Sequence, residues 1–307
     1  MKLLVVNYHY FSDKKYFSGI YPVNKKFFTN QIDELSKYYQ FVSQYEIAKW
    51  IDQGVSPKGN FCLITFDDGL KEQMQAFKWL YRSGIPAVFY VPVKPLVEKK
   101  ALNVHKLHHI RTILDDKRFL EKIEGFINID FNETKSKLAS VQYKYDNKIA
   151  QKLKYILNFE ISNDDYQNLI NEYFKKLFGD EEKFVKSFYM DENDINLLAN
   201  QEMLGNHGYS HKPLSKMSLE NMKIDIKKSS DYLSLITNKK MISFSYPFGS
   251  VSAVNQDVAD VVKGFDYSFA LTMQRGLNFD FEDSFLLNRV DTNDAPGGKN
   301  NLNTYKQ

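Results

Sequence analysis

Two adjacent carboxylates, Asp67 and Asp68, stand at the end of the apolar run FCLITF and directly before Gly69, while two imidazoles, His207 and His211, stand four apart in NHGYSH. Two imidazoles and one carboxylate make a good divalent-metal site, giving three protein ligands with positions left open for water and substrate. Successive side chains on a strand point to opposite sides, yet at the turn after a strand both acids can approach one pocket. One can then ligate a metal while the other, held nearby, accepts a proton from water. The competing use is helix capping: Asp68 before Gly69 does resemble an N-cap, although capping needs one acid and not two. The histidine pair is weak evidence alone and becomes strong beside an acidic doublet on another strand end.

The elements that must position these groups recur along the chain. The runs KLLVVNY, FCLITF, AVFYVPV, EMLGN, MISFSYP, DYSFALT and FLLNRV alternate with helix-period stretches such as GLKEQMQAFKWLYRSG, where Met74, Phe77, Trp79 and Leu80 fall near helical spacing before Gly84. That alternation predicts βα units around a mainly parallel sheet, whose chemistry collects at the carboxyl ends of the strands. Reading those ends alone gives His9, the Asp67–Asp68 pair, His207 with His211, Tyr246 to Gly249, and Arg289 with Asp291. Asn206 and Gly208 predict a strand-to-loop turn around His207 rather than a helix.

From about residue 94 to 194 the alternation gives way to helical segments such as YDNKIAQKLKYILNF and DDYQNLINEYFKKLFG. This predicts a helical insertion within an α/β domain of residues 1–291. His105, His108 and His109, at helical spacing in the insertion, could suggest a second metal, but a helix lining the cleft or a plain surface is favoured. Residues 292–307 lack apolar periodicity and predict a loop ending in a flexible tail.

The chain of 307 residues, 43% apolar and 15% aromatic, can bury a substantial core. Forty-one basic against 38 acidic residues, with no long run of one sign, give no support for nucleic-acid binding through bulk charge. A single cysteine, Cys62 in FCLITF, reads as a packed thiol and excludes an intrachain disulfide. Neither a signal peptide nor a membrane span is expected, which makes the cytoplasm the default location.

TFDDG at 65–69 resembles the first signature of the polysaccharide deacetylase superfamily (carbohydrate esterase family four), and HGYSH at 207–211 resembles the second. FSYPFG at 244–249 is similar to the third in a shortened form, and YHY near the start extends the likeness over most of the chain outside the insertion. The resemblance implies a distorted (β/α) barrel and metal-dependent hydrolysis of an acetamide on a sugar. By it, Asp67 is the catalytic base, while Asp68, His207 and His211 bind one divalent ion. Zinc suits that set best, with cobalt, nickel, manganese and iron as alternatives. The third signature implies that the N–H of Phe248 holds the oxyanion, aimed by Pro247, which fixes φ and has no donor of its own. Tyr246, Pro247 and Asp291 are expected at the substrate.

Two departures from the family pattern carry consequences. Ser243, Phe244 and Ser245 occupy the stretch where many members carry an arginine bonded to the base, so Arg289 is the candidate replacement, with a structural ion pair the equal alternative. No histidine follows His211, so the family's late histidine is absent. Amide hydrolysis must protonate the leaving amine. His9 is the expected acid, because the first strand of a closed barrel lies beside the last, and a bond to a backbone carbonyl is the bland alternative. The expected activity is N-deacetylation of a nucleotide-linked or lipid-linked sugar in surface-polysaccharide (O-antigen or capsule) assembly. A deformylase or other sugar amidase, and a catalytically inactive sugar-binding protein, are the alternatives.

Overall fold

The computed structural model describes residues 1–16, 18–126, 129–142, 147–161 and 163–306. The chain divides into two compact units, one of Met1–Lys14, Pro22–Lys100 and Val185–Gln307, the other of Lys15–Tyr21 and Ala101–Phe184.

The first unit is an α/β half-barrel. Its strands are β1 (Lys2–Tyr8), β2 (Gln40–Phe41), β3 (Asn60–Phe66), β4 (Ala87–Val91), β5 (Leu204–Asn206), β6 (Ser243–Ser245), β7 (Phe269–Leu271) and β8 (Val290–Asp291). They form one parallel sheet in the order β7-β6-β5-β4-β3-β1-β8, with β2 joining β3 off that path. Seven of the strands lie on the apolar runs of the sequence; β2, two residues long, has no such signal. Helices α1 (Lys25–Ser36), α2 (Gln44–Asp52), α3 (Met74–Arg82) and α4 (Lys94–Glu98) connect the early strands. The second unit carries α5 (Asn103–Ile113), α6 (Asp116–Phe126), α7 (Glu133–Gln142), α8 (Lys148–Tyr155), α9 (Asn163–Phe178) and the start of α10 (Glu181–Phe188), and α11 (Glu192–Asn200), α12 (Leu219–Thr237) and α13 (Gln256–Lys263) follow in the first unit.

Strand alternation sorts the core into two layers. Leu4, Val6 and Tyr8 of β1 with Cys62, Ile64 and Phe66 of β3 pack under Phe28, Ile32 and Leu35 of α1 and Phe77 and Leu80 of α3. Burial there pushes the Cys62 thiol up, as a packed cysteine requires. Leu3, Val5 and Leu63 face the other way, with Val88, Tyr90, Phe269 and Leu271. The same inner rows end in buried polar residues, Asn7 on β1, Thr65 on β3 and Ser245 on β6. A buried polar side chain persists only where a partner meets it, so this layer marks the chemistry.

β7 and β8 are the two ends of the sheet rather than neighbours in a closed barrel. Residues 284–289 fill the gap: Ala270 N–H donates to Ser284 O, Leu287 N–H to Ala270 O, and Thr272 N–H to Leu287 O, at 2.9–3.2 Å. Arg289 ends this stretch with its N–H on Gln274 O at 3.0 Å. β1 does lie beside β8, with Asn7 opposite Asp291.

The C-terminal residues are held rather than frayed. Gln31 of α1 donates to Thr292 O and Pro296 O at 2.7 and 3.2 Å, and Tyr39 donates to Tyr305 O at 2.6 Å. Tyr305 is buried. Gln307 lies outside the described residues.

The second unit has its own core, built from Ile110, Phe119, Ile123, Leu153, Leu169, Ile170 and Phe174. The helix expected from residue 145 begins at Lys148 among the described residues, capped by Asn147 through Ile149 and Ala150, and residues 145 and 146 lie outside them. The histidines of α5 are not a plain surface: His105 and His109 are buried, and His109 stands edge-on to Phe184 at 4.8 Å.

Candidate active site

Because all the strands run parallel, their carboxyl ends share one end of the sheet. β3 delivers Asp67 and Asp68 there, β5 delivers His207, β6 delivers Tyr246 to Gly249, and β1 delivers His9. The register sets the spacing: Tyr8 pairs with Phe66, so His9 and Asp67 leave adjacent strands side by side, and Asp67 N–H donates to Tyr8 O at 3.0 Å.

Asp68, His207 and His211 come together. Asp68 Oδ1 lies 3.5 Å from His207 Nε2 and 3.0 Å from His211 Nε2. The donor atoms of the three fall within 4.8 Å of one another, and among the described residues no other such group of histidine, cysteine and acidic residues forms. His207 Nδ1 meets Ser245 O at 2.7 Å, which orients the ring and leaves Nε2 facing Asp68. The set therefore fits a divalent ion with three protein ligands. Asp68 caps no helix: the next turn, Lys71–Gln73, is preceded by Leu70, and α3 has no side-chain cap.

Asp67 is fixed from three sides. Arg289 Nη1 donates to its Oδ1 at 2.9 Å and Arg289 Nη2 approaches Oδ2 at 2.8 Å. Ser245 Oγ donates to Oδ1 and Asn7 Nδ2 to Oδ2, both at 3.1 Å. Burial opposes the charge on Asp67, but the Arg289 guanidinium, helped by His207 and His9, holds its carboxyl down to about 2. Arg289 is itself fully buried and anchored by Nε to Thr272 O at 2.7 Å and by Nη2 to Ser245 Oγ at 2.9 Å. A planar guanidinium suits this forked contact in a way a lysine would not.

Three non-glycine residues of the site sit in the left-handed region: Asp68 at φ 81°, His211 at φ 53° and Phe248 at φ 62°. Each such conformation costs about 1–3 kcal/mol and persists where surrounding contacts impose it. At Gly69, φ 60°, an added Cβ would stand 3.0 Å from Val91 Cγ1, so a side chain there would be strained by conformation and crowded by its neighbour.

The remaining expected residues divide. Phe248 is half exposed, with its ring 5.2 Å from that of His211. His9 is half-buried, and Gln73 Nε2 donates to its carbonyl at 2.8 Å. Tyr246 does not face the site: it is fully buried, with its hydroxyl on Phe285 O at 2.9 Å, so the expected substrate contact is corrected to a core role. Pro247 is buried. Asp291 turns its Oδ1 to the N–H and side chain of Asn293, at 2.8 and 2.7 Å. Asn7 and Ser245 escaped the sequence reading as partners of Asp67. The available signal was period two, since both continue inward rows while Phe244 and Tyr246 continue the outward one.

Comparison with known proteins agrees with this architecture. A family model described as polysaccharide deacetylase matches residues 172–270, which include HGYSH and FSYPFG but not TFDDG. Among solved structures, the Streptococcus pyogenes deacetylase PplD, solved in complex with acetate, is similar with a TM-score of 0.56 and 16% identity over 100% of this chain and 99% of its own. IcaB from Ammonifex degensii gives 0.57 and 15% identity over 94% of this chain and 91% of its own. A de-N-acetylase from Aggregatibacter actinomycetemcomitans gives 0.57 and 13% over 94% of each. No curated protein matches the sequence. The fold is the deacetylase (β/α) barrel, and the resemblance to the polysaccharide deacetylases is borne out by the matched segment as well as by the fold.

Proposed function

We propose that this chain is a metal-dependent carbohydrate N-deacetylase that removes an acetyl group from a nucleotide-linked or lipid-linked sugar during surface-polysaccharide assembly in the cytoplasm. The observation that carries the reading is the adjacency of the Asp68, His207 and His211 donors to an ionised, arginine-held Asp67. A divalent ion at that set, zinc by its ligand types, would supply Lewis-acid polarisation of the amide carbonyl. Asp67, anionic across the physiological range, takes the proton of the attacking water. Its contacts with Arg289, Ser245 and Asn7 hold the carboxylate in place and absorb none of that proton. The Phe248 N–H, in its left-handed peptide after Pro247, donates to the oxygen that gains charge. His9, leaving the strand beside Asp67, returns a proton to the departing amine.

Acetate release from a panel of N-acetylated nucleotide sugars and lipid-linked sugars, with elemental analysis of untagged protein, tests the reading. Release from at least one substrate that stops on chelation and resumes with zinc is the expected result. Stoichiometric metal with no turnover on any acetamide or formamide would turn the assignment toward a sugar-binding role.

A further inference from the structure

The loop that carries both histidines is tied down by an acid outside every signature. Asp225, on the second turn of α12, is buried and aims its carboxylate into the HGYSH segment. Tyr209 N–H donates to its Oδ2 at 2.8 Å and Ser210 N–H to its Oδ1 at 3.0 Å. The preceding N–H, of Gly208, goes to Asn206 Oδ1 at 2.8 Å. The loop carbonyls are engaged as well: Val93 N–H reaches Gly208 O at 3.1 Å and Lys94 N–H reaches Tyr209 O at 2.9 Å. Three consecutive donors and two acceptors between His207 and His211 are thus all taken, and Asp225 supplies the two charge-assisted bonds among them.

We propose that Asp225 is a positioning residue for metal binding, holding the 207–211 loop in the conformation that turns both imidazoles toward Asp68. The inference rests on the metal-centre reading above. Two backbone conformations explain why the loop needs such a hold. Gly208 lies at φ 74° and His211 at φ 53°, a region that costs a histidine about 1–3 kcal/mol and persists where surrounding contacts impose it. Gly208 also packs on the acid, since a Cβ added there would stand 3.2 Å from Asp225 Oδ2. The carboxylate therefore selects the loop shape through its two oxygens and through the space it fills. A group that orients metal ligands from behind typically changes metal affinity by about 10–100-fold when removed.

In Asp225→Asn one acceptor oxygen becomes an NH2 that must face the Tyr209 or Ser210 N–H, which breaks one bond without emptying the site. Zinc affinity, measured by competition with a chelator well below the melting point of the metal-free protein, should weaken by about 10–100-fold. A role confined to fold stability would lower the metal-free melting point and leave zinc affinity unchanged, and that result overturns the proposal. Asp68→Ala is the control. Wild type that binds no zinc, or Asp68→Ala that binds it as tightly as wild type, defeats the metal-centre reading and this inference with it. Zinc bound through Asp68 with Asp225→Asn equal to wild type defeats this inference alone. If Asp225→Asn does not fold, Gly208→Ala crowds the same carboxylate from the loop side. It should weaken zinc severalfold, and unchanged affinity there overturns the proposal equally.

Discussion

Arg289 and Asp67, 222 positions apart, meet in a buried, forked ion pair, with Nη1 on Oδ1 at 2.9 Å and Nη2 by Oδ2 at 2.8 Å. Removing one member of such a pair leaves the other charged and buried, at about 3–5 kcal/mol. Arg289→Met should lower stability by that amount in urea denaturation, and adding Asp67→Asn should recover part of the loss. A loss below about 1 kcal/mol would mean that the pair is solvated and behaves like a surface bridge.

The two aspartates of TFDDG should separate by experiment. Asp68→Ala should lose most bound metal by elemental analysis and stay folded, because an active-site ligand is usually dispensable for the core. Asp67→Asn should keep the metal and lose turnover by roughly 100-fold or more, as expected for a general base. Equal metal loss in both variants would mean joint ligation.

His9 should reveal itself through the leaving group. His9→Ala should retain metal and lose most activity on an unactivated acetamide, while an aryl ester, whose leaving group needs no proton, should suffer much less. Equal losses on both substrates would assign His9 to binding or structure.

Glu72 gives a pH signature independent of catalysis. Its Oε1 accepts Phe11 N–H at 2.9 Å, and burial pushes its carboxyl up to about 7, against the pull of that N–H and of Lys14. An acid whose pKa is raised by folding keeps its proton longer in the folded state than in the unfolded chain. Its contribution is therefore complete below the ordinary 4.5 and is lost as pH rises through about 7. Glu72→Gln keeps an acceptor for Phe11 and should flatten the fall in melting temperature between those values. An identical profile in both proteins would place the titration elsewhere.

How much of this was legible in the sequence depends on the kind of signal. Apolar runs broken by polar residues located seven strands, and parallel topology alone gathered Asp67, Asp68, His207 and His211 at one end. Arg289 could be matched to Asp67 only through the family resemblance, because no spacing rule links positions 222 apart. Tyr246 was assigned to the wrong side although alternation with Ser245 was there to be read. The C-terminal segment carried no period at all. It is held by Gln31 through backbone carbonyls, a contact that hydrophobic patterning does not encode.

The membership of Lys15–Tyr21 in the helical unit changes what can be done with that unit by chain surgery. Ile20 is buried there, Ser18 Oγ donates to Arg111 O, and Gly19 lies against α5. The polypeptide therefore passes between the two units four times rather than twice, at residues 14–15, 21–22, 100–101 and 184–185. Excising 101–184 as a cassette would remove the Arg111 carbonyl that holds Ser18 and the stretch of α5 that Gly19 lies against, a few positions after His9. A transplant of the helical unit onto another barrel would have to carry Lys15–Tyr21 as a second, separate graft.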